Sequence, residues 1–362
     1  MSFQSRRWMG LISDIAKRTS IYRTTITESL GIQDYLDLSA NENLFIDLVS
    51  LRKLMFETVD SYDPRKYQSD IYTLRSKLAS MNCTDADQIL LGNGSDQLIE
   101  LFVRSVLSQD DHAIVVTPTF SMYKRVLQFH GCNFSQVSLN QDFSLNIDSI
   151  LNSIRPETKI VFLCSPNNPT GNQQSIDDVE ILLQESDCLV LLDEAYLIDN
   201  PRTSPLLSTY SNLVILRTLS KSFGLAGLRV GYAIGDRSLM TILRERVQQP
   251  FPLSTFSVEV ALALLDNLEL VIDADNQMRR ERSRTFDSLQ SLSGVLPFPS
   301  ETNFLLFSAR NNSTEIQQQL MRSGILVRDI GTVLQYSNCL RVTIAPSNLM
   351  VRFLDALKEV LK

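Results

Sequence analysis

Histidine is nearly missing: the 362-residue chain holds two. His112 sits in the acidic turn Asp110-Asp111-His112, and His130 precedes Gly131 at an expected helix end. Neither has a partner motif, so both read as structural or solvated. A Ser-His-Asp hydrolase and a histidine-bound metal enzyme are thereby disfavoured. Cysteine is also sparse. Five residues (Cys83, Cys132, Cys164, Cys188, Cys339) are odd in number, scattered and never spaced Cys-x-x-Cys. That pattern argues against a disulfide framework or a zinc site and fits a reducing cytoplasm. Long apolar runs are absent too. The short patch from Trp8 to Ile12 has no long apolar region or cleavage site after it, so neither a signal peptide nor a membrane partner is expected. Positive charge is not in excess: 34 Lys and Arg face 41 Asp and Glu, for a net charge of −7. Nucleic acid is therefore excluded as the main partner, and any basic site must be local. No internal repeat or low-complexity segment is found.

What is present is an ordinary globular composition, 44% hydrophobic and 21% charged, at a length that suits roughly two domains. Short apolar runs recur at Ile89–Leu91, Ala113–Val116, Phe134–Val137, Ile160–Leu163, Leu189–Leu192, Leu213–Leu216 and Val230–Ile234. Helix-period segments lie between most of them: Gln97–Leu107, Ser121–Phe129, Ile147–Ile154 and Ser175–Gln184. The alternation predicts an α/β fold, with a large, mostly parallel mixed sheet covered by helices. After Leu239 the texture changes to long helices, then to strands at Asn303–Phe307, Ile325–Arg328 and Cys339–Ile344. A smaller α+β domain is expected there, joined by the N-terminal segment. The division placed on the chain is 40–245 for the large domain, and 1–39 with 246–362 for the small one.

The stretch Thr218–Gly231 organises the chemistry. After the Leu213–Leu216 strand come two hydroxyls (Thr218, Ser220), Lys221, three glycines (Gly224, Gly227, Gly231) and Arg229. Hydroxyls, an arginine and close backbone approach suit a phosphate. A lysine among small residues beside a second cation can lose its proton and attack a carbonyl. Phosphate plus reactive amine suggests pyridoxal phosphate; a plain strand–turn–strand with solvated basic residues has the same sequence.

Four further stretches follow predicted strands. Gly92-Asn93-Gly94-Ser95-Asp96 opens a helix, a layout for anions; Gln97 stands where a dinucleotide fingerprint needs its third glycine. Phe120 follows the Ala113–Val116 strand, where it could stack on a planar ring. Ser165-Pro166-Asn167-Asn168-Pro169-Thr170-Gly171 could hold an asparagine for a ligand or be an ordinary turn. Asp193-Glu194-Ala195-Tyr196 ends a strand with a carboxylate that needs a partner if buried, for which a protonated pyridine nitrogen would serve. Each stretch has a bland explanation. Together they fall at the carboxyl ends of successive strands, where open α/β sheets bind ligands.

At these residues the chain resembles fold-type I pyridoxal-phosphate-dependent aminotransferases, and most closely the histidinol-phosphate aminotransferases. The resemblance runs from about Leu38 to Ile344 and also rests on Asn41-Glu42-Asn43, Gly324–Arg328 and Leu340–Ile344. The Ser-Lys-x-x-Gly-x-x-Gly-x-Arg-x-Gly core is its most specific part. It implies that Lys221 is the Schiff-base lysine. Gly94, Ser95, Asp96, Thr218, Ser220 and Arg229 would hold the cofactor phosphate. Phe120 would stack on the ring, Asn168 and Tyr196 would bind its oxygen, and Asp193 its nitrogen. Tyr67 would reach the neighbouring subunit's cofactor across a homodimer interface. Arg341 would grip the substrate carboxylate, and Arg328 a substrate phosphate with Tyr22 as helper; Asn43 is placed with the substrate-binding group. The chain departs from the family pattern at Leu44, Gln68, Gln97 and Ala345. The implied reaction is transamination of L-histidinol phosphate with 2-oxoglutarate in histidine biosynthesis, yielding imidazole acetol phosphate and L-glutamate. Threonine-phosphate decarboxylation and transamination of aromatic or other amino acids are the alternatives on the same fold.

Overall fold

In a computed structural model, which describes residues 15, 16, 19, 35–61, 63–67, 71–198 and 202–362, all seven apolar runs from Ile89 to Ile234 become strands. They are β2 (Ile89–Asn93), β3 (His112–Thr117), β4 (Asn133–Ser138), β5 (Thr158–Cys164), β6 (Leu189–Asp193), β7 (Leu213–Thr218) and β8 (Val230–Ile234); β1 (Leu36–Asp37) lies elsewhere. Their order in the sheet is β2-β8-β7-β6-β5-β3-β4. Neighbours pair in parallel except at β8, which runs antiparallel to both β2 and β7.

Near-continuous burial explains why these strands read as apolar runs rather than as alternation. Val161, Leu163, Val190, Leu192 and Ile215 point into one core, and Ile160, Phe162, Leu191, Val214 and Leu216 into the other. Each such side chain contributes about 2 kcal/mol by leaving water. Helices α1 (Leu48–Ser61) and α2 (Ile71–Met81) precede the sheet. Among the connections, α3 (Gly94–Val106), α4 (Met122–His130), α5 (Ile147–Ser153), α6 (Ile176–Glu185) and α7 (Arg237–Ile242) follow in order. His112 opens β3 as a buried residue, hydrogen-bonded to the hydroxyls of Thr158 and Ser135 at 2.9 Å each.

Past α7 come α8 (Thr255–Leu265) and α9 (Leu268–Gln290), then β9 (Val295–Pro297), β10 (Phe304–Ala309), α10 (Ser313–Arg322), β11 (Ile325–Leu326), β12 (Arg328–Val333), β13 (Tyr336–Thr343) and α11 (Ser347–Val360). Strands β12-β13-β10-β9 form an antiparallel sheet over its own core, and β1 pairs with β11. The single strand expected over Ile325–Arg328 is corrected here. The chain leaves β1 after Leu326, and Arg328 begins a separate strand against β13. That strand was not anticipated because it is polar, holds Gly331 and is interrupted by register shifts. Among the described residues, no helix is long and apolar enough to cross a membrane.

Candidate active site

The carboxyl ends of β2, β3, β5, β6 and β7 share one edge of the large sheet, and the antiparallel β8 starts there. Register places Gly231 opposite both Gly92 and Thr218, so the glycine-rich turn and the start of α3 meet. The approach is close. A Cβ on Gly231 would stand 2.4 Å from the Gly94 carbonyl carbon and 2.5 Å from the Ser95 nitrogen. A Cβ on Gly94, which has φ of +78°, would strike the Arg229 guanidinium. Around this point the Thr218 hydroxyl lies 3.0 Å from that of Ser220, and Arg229 Nη1 donates to Ser220 Oγ at 3.3 Å. The main-chain N–H groups of Ser95 and Asp96 belong to the first turn of α3, where no intrahelical acceptor exists. The Asp96 carboxylate itself pairs with Arg229 at 3.1 Å, so only its N–H is suited to an anion.

Lys221 follows at once. Its half-buried amine donates to the Ala40 carbonyl at 3.0 Å. Crowding by protein, and secondly the charge of Arg341, pull its pKa down to about 8. Asp193 ends β6 fully enclosed. Its Oδ2 accepts from the Tyr123 hydroxyl at 2.7 Å and its Oδ1 from the Ala195 N–H at 3.0 Å. Burial nevertheless raises its pKa to about 6. The adjacent Glu194 points the other way, as successive residues of a strand do. It forms a buried ion pair with Arg217 at 2.7 Å and accepts from Thr203 at 2.6 Å. One acidic pair thus supplies one carboxylate to the site edge and one to the scaffold.

Arg341 arrives from the small sheet. Its Nη1 donates to Asn168 Oδ1 and its Nη2 to the Ser39 carbonyl, both at 2.6 Å, and its guanidinium lies 5.2 Å from the Phe304 ring centroid. The doubled asparagine divides its work: Asn167 braces the loop through Pro118, Thr119 and Thr170, while Asn168 faces Arg341.

The profile of the family described as aminotransferase class I and II matches residues 29–357. The chain belongs to the class I and II aminotransferases. Among relatives, the histidinol-phosphate aminotransferase of Bacillus subtilis subsp. natto is 33% identical over 345 residues, covering 93% of this chain and 94% of its own. That of Methanocaldococcus jannaschii is 29% identical, over 98% of this chain and 99% of its own. The fold resembles the crystal structure of histidinol-phosphate aminotransferase from Sinorhizobium meliloti in complex with pyridoxal-5'-phosphate, with a TM-score of 0.87, 24% identity and 97% of each chain covered.

In this aminotransferase, Tyr196 is buried, and burial keeps its hydroxyl protonated by raising its pKa. It accepts from Asn41 Nδ2 at 3.0 Å. Phe120 stands half-buried, edge-on to Tyr123 with centroids 5.8 Å apart. Arg328 lies directly opposite Arg341 in the β12–β13 register, so both side chains leave the same face of that sheet. Tyr67 is 79% exposed and stacks on Phe251 at 4.5 Å. The two rings border a cavity of about 620 Å³ that opens onto Asn93, Gln97 and Arg229. Asn43 is engaged by main chain on both sides: it donates to the Ser222 carbonyl and accepts from the Phe45 N–H, each at 2.8 Å. Tyr22 lies outside the described residues.

Two residues at the site escaped the sequence reading. Tyr123 lies inside the helix-period segment Ser121–Phe129 with nothing in the sequence to single it out, although it follows Phe120 by three residues and the two rings meet edge-on. Asn41, at φ of +55°, was likewise only part of a motif; asparagine tolerates this left-handed backbone better than most residues.

The residues present fit pyridoxal phosphate. The glycine-bounded cradle combines hydroxyls, a guanidinium and helix N–H groups, the donor set a phosphate needs. The enclosed Asp193 accepts from two donors, neither of them a cation, and a ring N–H⁺ would supply one.

Proposed function

We propose that the chain transfers the amino group of L-histidinol phosphate to 2-oxoglutarate, giving imidazole acetol phosphate and L-glutamate, a step of histidine biosynthesis, with pyridoxal 5'-phosphate as cofactor. Family membership and the named relatives support this reading. The cofactor phosphate is assigned to Gly94, Ser95, Asp96, Thr218, Ser220 and Arg229. Phe120 covers the ring, Asn168 and Tyr196 hold its oxygen, and Asp193 holds the proton on its nitrogen. When bound, the cofactor supplies an aldehyde for the substrate amine and a ring that accepts the electron pair of the Cα–H bond. Lys221, neutral above about pH 8, takes the proton from the substrate Cα and would deliver it to the cofactor's C4′ carbon, so that the amino group stays behind when the keto product leaves. Arg341 and Arg328 orient the anionic end of each substrate in turn: phosphate of the donor, carboxylate of the acceptor.

The molecule is proposed to be a cytoplasmic homodimer, with 40–245 as the cofactor-binding part and 1–39 with 246–362 as the smaller part. Support for self-association comes from large exposed apolar side chains on and near α1 and α2, among them Val49, Phe56, Tyr67, Tyr72 and Phe251. Tyr67 then reaches the partner's site.

The observation that carries the substrate is the register Arg328↔Arg341. Two arginines leaving the same face of the small sheet bring two positive charges to one side of the site, and a dianionic phosphate ester is matched to such charges through paired hydrogen bonds. The test supplies histidinol phosphate, threonine phosphate or phenylalanine, each with 2-oxoglutarate. Glutamate should form fastest with the first. Arg328→Gln should cost about 2–4 kcal/mol in kcat/KM for histidinol phosphate and little for phenylalanine. Equal losses on both, or release of carbon dioxide from threonine phosphate as the main reaction, would overturn the assignment.

A further inference from the structure

Tyr123 is fully buried in the first turn of α4, with its ring stacked on Phe162 at 5.1 Å and an interplanar angle of 18°. Strand order explains its reach. It follows β3, Asp193 ends β6, and β5 lies between them, so the tyrosine crosses over β5 to arrive at the carboxylate. The hydroxyl donates to the carboxylate at 2.7 Å, and a bond to an ionised acceptor is stronger than one between neutral groups. Asp193 thus has one oxygen held by its own main chain and the other by a different element.

The direction of this bond matters chemically. A carboxylate beside a pyridine nitrogen shares one proton with it. Burial, together with the nearby charges of Asp96 and Glu194, drives that proton toward Asp193. The N–H of Ala195 and the hydroxyl of Tyr123 oppose this, because both donate to the ionised form. The tyrosine cannot reverse its role by ionising, since burial and the charge of Asp193 hold its hydroxyl protonated.

We propose that Tyr123 is a positioning residue that acts through Asp193 to keep the shared proton on the ring nitrogen of the cofactor. The inference rests on the pyridoxal phosphate reading above. It adds a determinant outside the residues that touch the cofactor.

The experiment reconstitutes wild type, Tyr123→Phe and Asp193→Asn with pyridoxal phosphate carrying ¹⁵N in the ring, and records the ¹⁵N chemical shift. Phenylalanine keeps the ring stacked on Phe162 and removes only the oxygen; a melting curve verifies that the variant folds. Wild type should show a protonated nitrogen and Asp193→Asn a neutral one. Tyr123→Phe should move measurably toward the neutral value, since loss of one charge-assisted bond shifts the proton's distribution by about tenfold. Its kcat should fall with KM nearly unchanged. If Asp193→Asn moves the shift and Tyr123→Phe does not, Tyr123 merely packs and the inference is overturned. If Asp193→Asn leaves the nitrogen protonated, the placement of the cofactor ring on Asp193 is wrong, and the inference falls with it.

Discussion

Gly231→Ala probes the cofactor cradle where it is tightest. The added methyl would stand 2.4 Å from one main-chain atom and 2.5 Å from the next, at the start of α3. No change of rotamer relieves a clash with main chain. Restoring an ordinary contact of about 3.5 Å requires α3 and β8 to separate by roughly 1 Å. Overpacking of this kind costs about 1–3 kcal/mol. The same movement carries the N–H groups of Ser95 and Asp96 away from the hydroxyls of Thr218 and Ser220. If about 1.4 kcal/mol of the cost appears in cofactor binding, Kd rises tenfold. Titration of the apoprotein with pyridoxal phosphate, followed by absorbance, measures it. Gly227→Ala is the matched control. It lies in the same turn, but its Cβ would meet nothing within 4 Å, so Kd should stay within about twofold. Equal affinities for the two alanine variants would refute the claim that close main-chain approach builds the site.

Three further outcomes are expected. Capture of pyridoxal phosphate by the apoprotein should rise with pH through a midpoint of about 8, because only the neutral amine attacks and Lys221 is shifted down from 10.5. A midpoint near 10.5 would place the amine in ordinary water, and Lys221→Ala should abolish the visible absorbance of the lysine-bound cofactor altogether. Mixing Tyr67→Phe with Lys221→Ala subunits should restore part of the activity each lacks, through mixed sites with both residues intact; a fully active monomer in sedimentation would rule out the shared site.

What could be read from the sequence was what has a period or a fixed local geometry. The strands from β2 to β8 were legible because two-sided burial makes them continuous apolar runs. Arg229 could be grouped with Ser220 because a single turn, with Arg229 itself at φ of +55°, joins them. Contacts across long separations left no such trace. Tyr123 meets Asp193 across 70 residues and Asn41 meets Tyr196 across 155, and nothing local in either stretch marks the partner. The three-residue edge strand Val295–Pro297 was too short to show alternation, and its proline reads as a breaker. The pair Asp193-Glu194 looked like two equivalent acids. Only the fold shows Arg217 buried behind the second, while the first turns to the site edge with Tyr123 on it.

The distribution of groups between the two sheets bears on how substrate choice is built. On the proposed reading, the chemistry sits on the seven-stranded sheet, in Lys221 and Asp193. Recognition of the anionic substrate end sits on the small sheet, in Arg341 and Arg328. The two share apolar packing, with Phe143 against Phe298 and Tyr336, and meet at the site through short polar contacts. Arg341 bonds Asn168 of the large-sheet loop and the Ser39 carbonyl, while Lys221 bonds the next carbonyl, Ala40. The segment after β1 therefore lies between the anion-binding arginine and the reactive amine, with one carbonyl turned to each. A substitution at Arg341 therefore removes a bond from Asn168 together with the charge offered to the substrate. A change of substrate preference made through Arg341 should accordingly also disturb the hold on the cofactor, since Asn168 is one of the residues assigned to its ring oxygen.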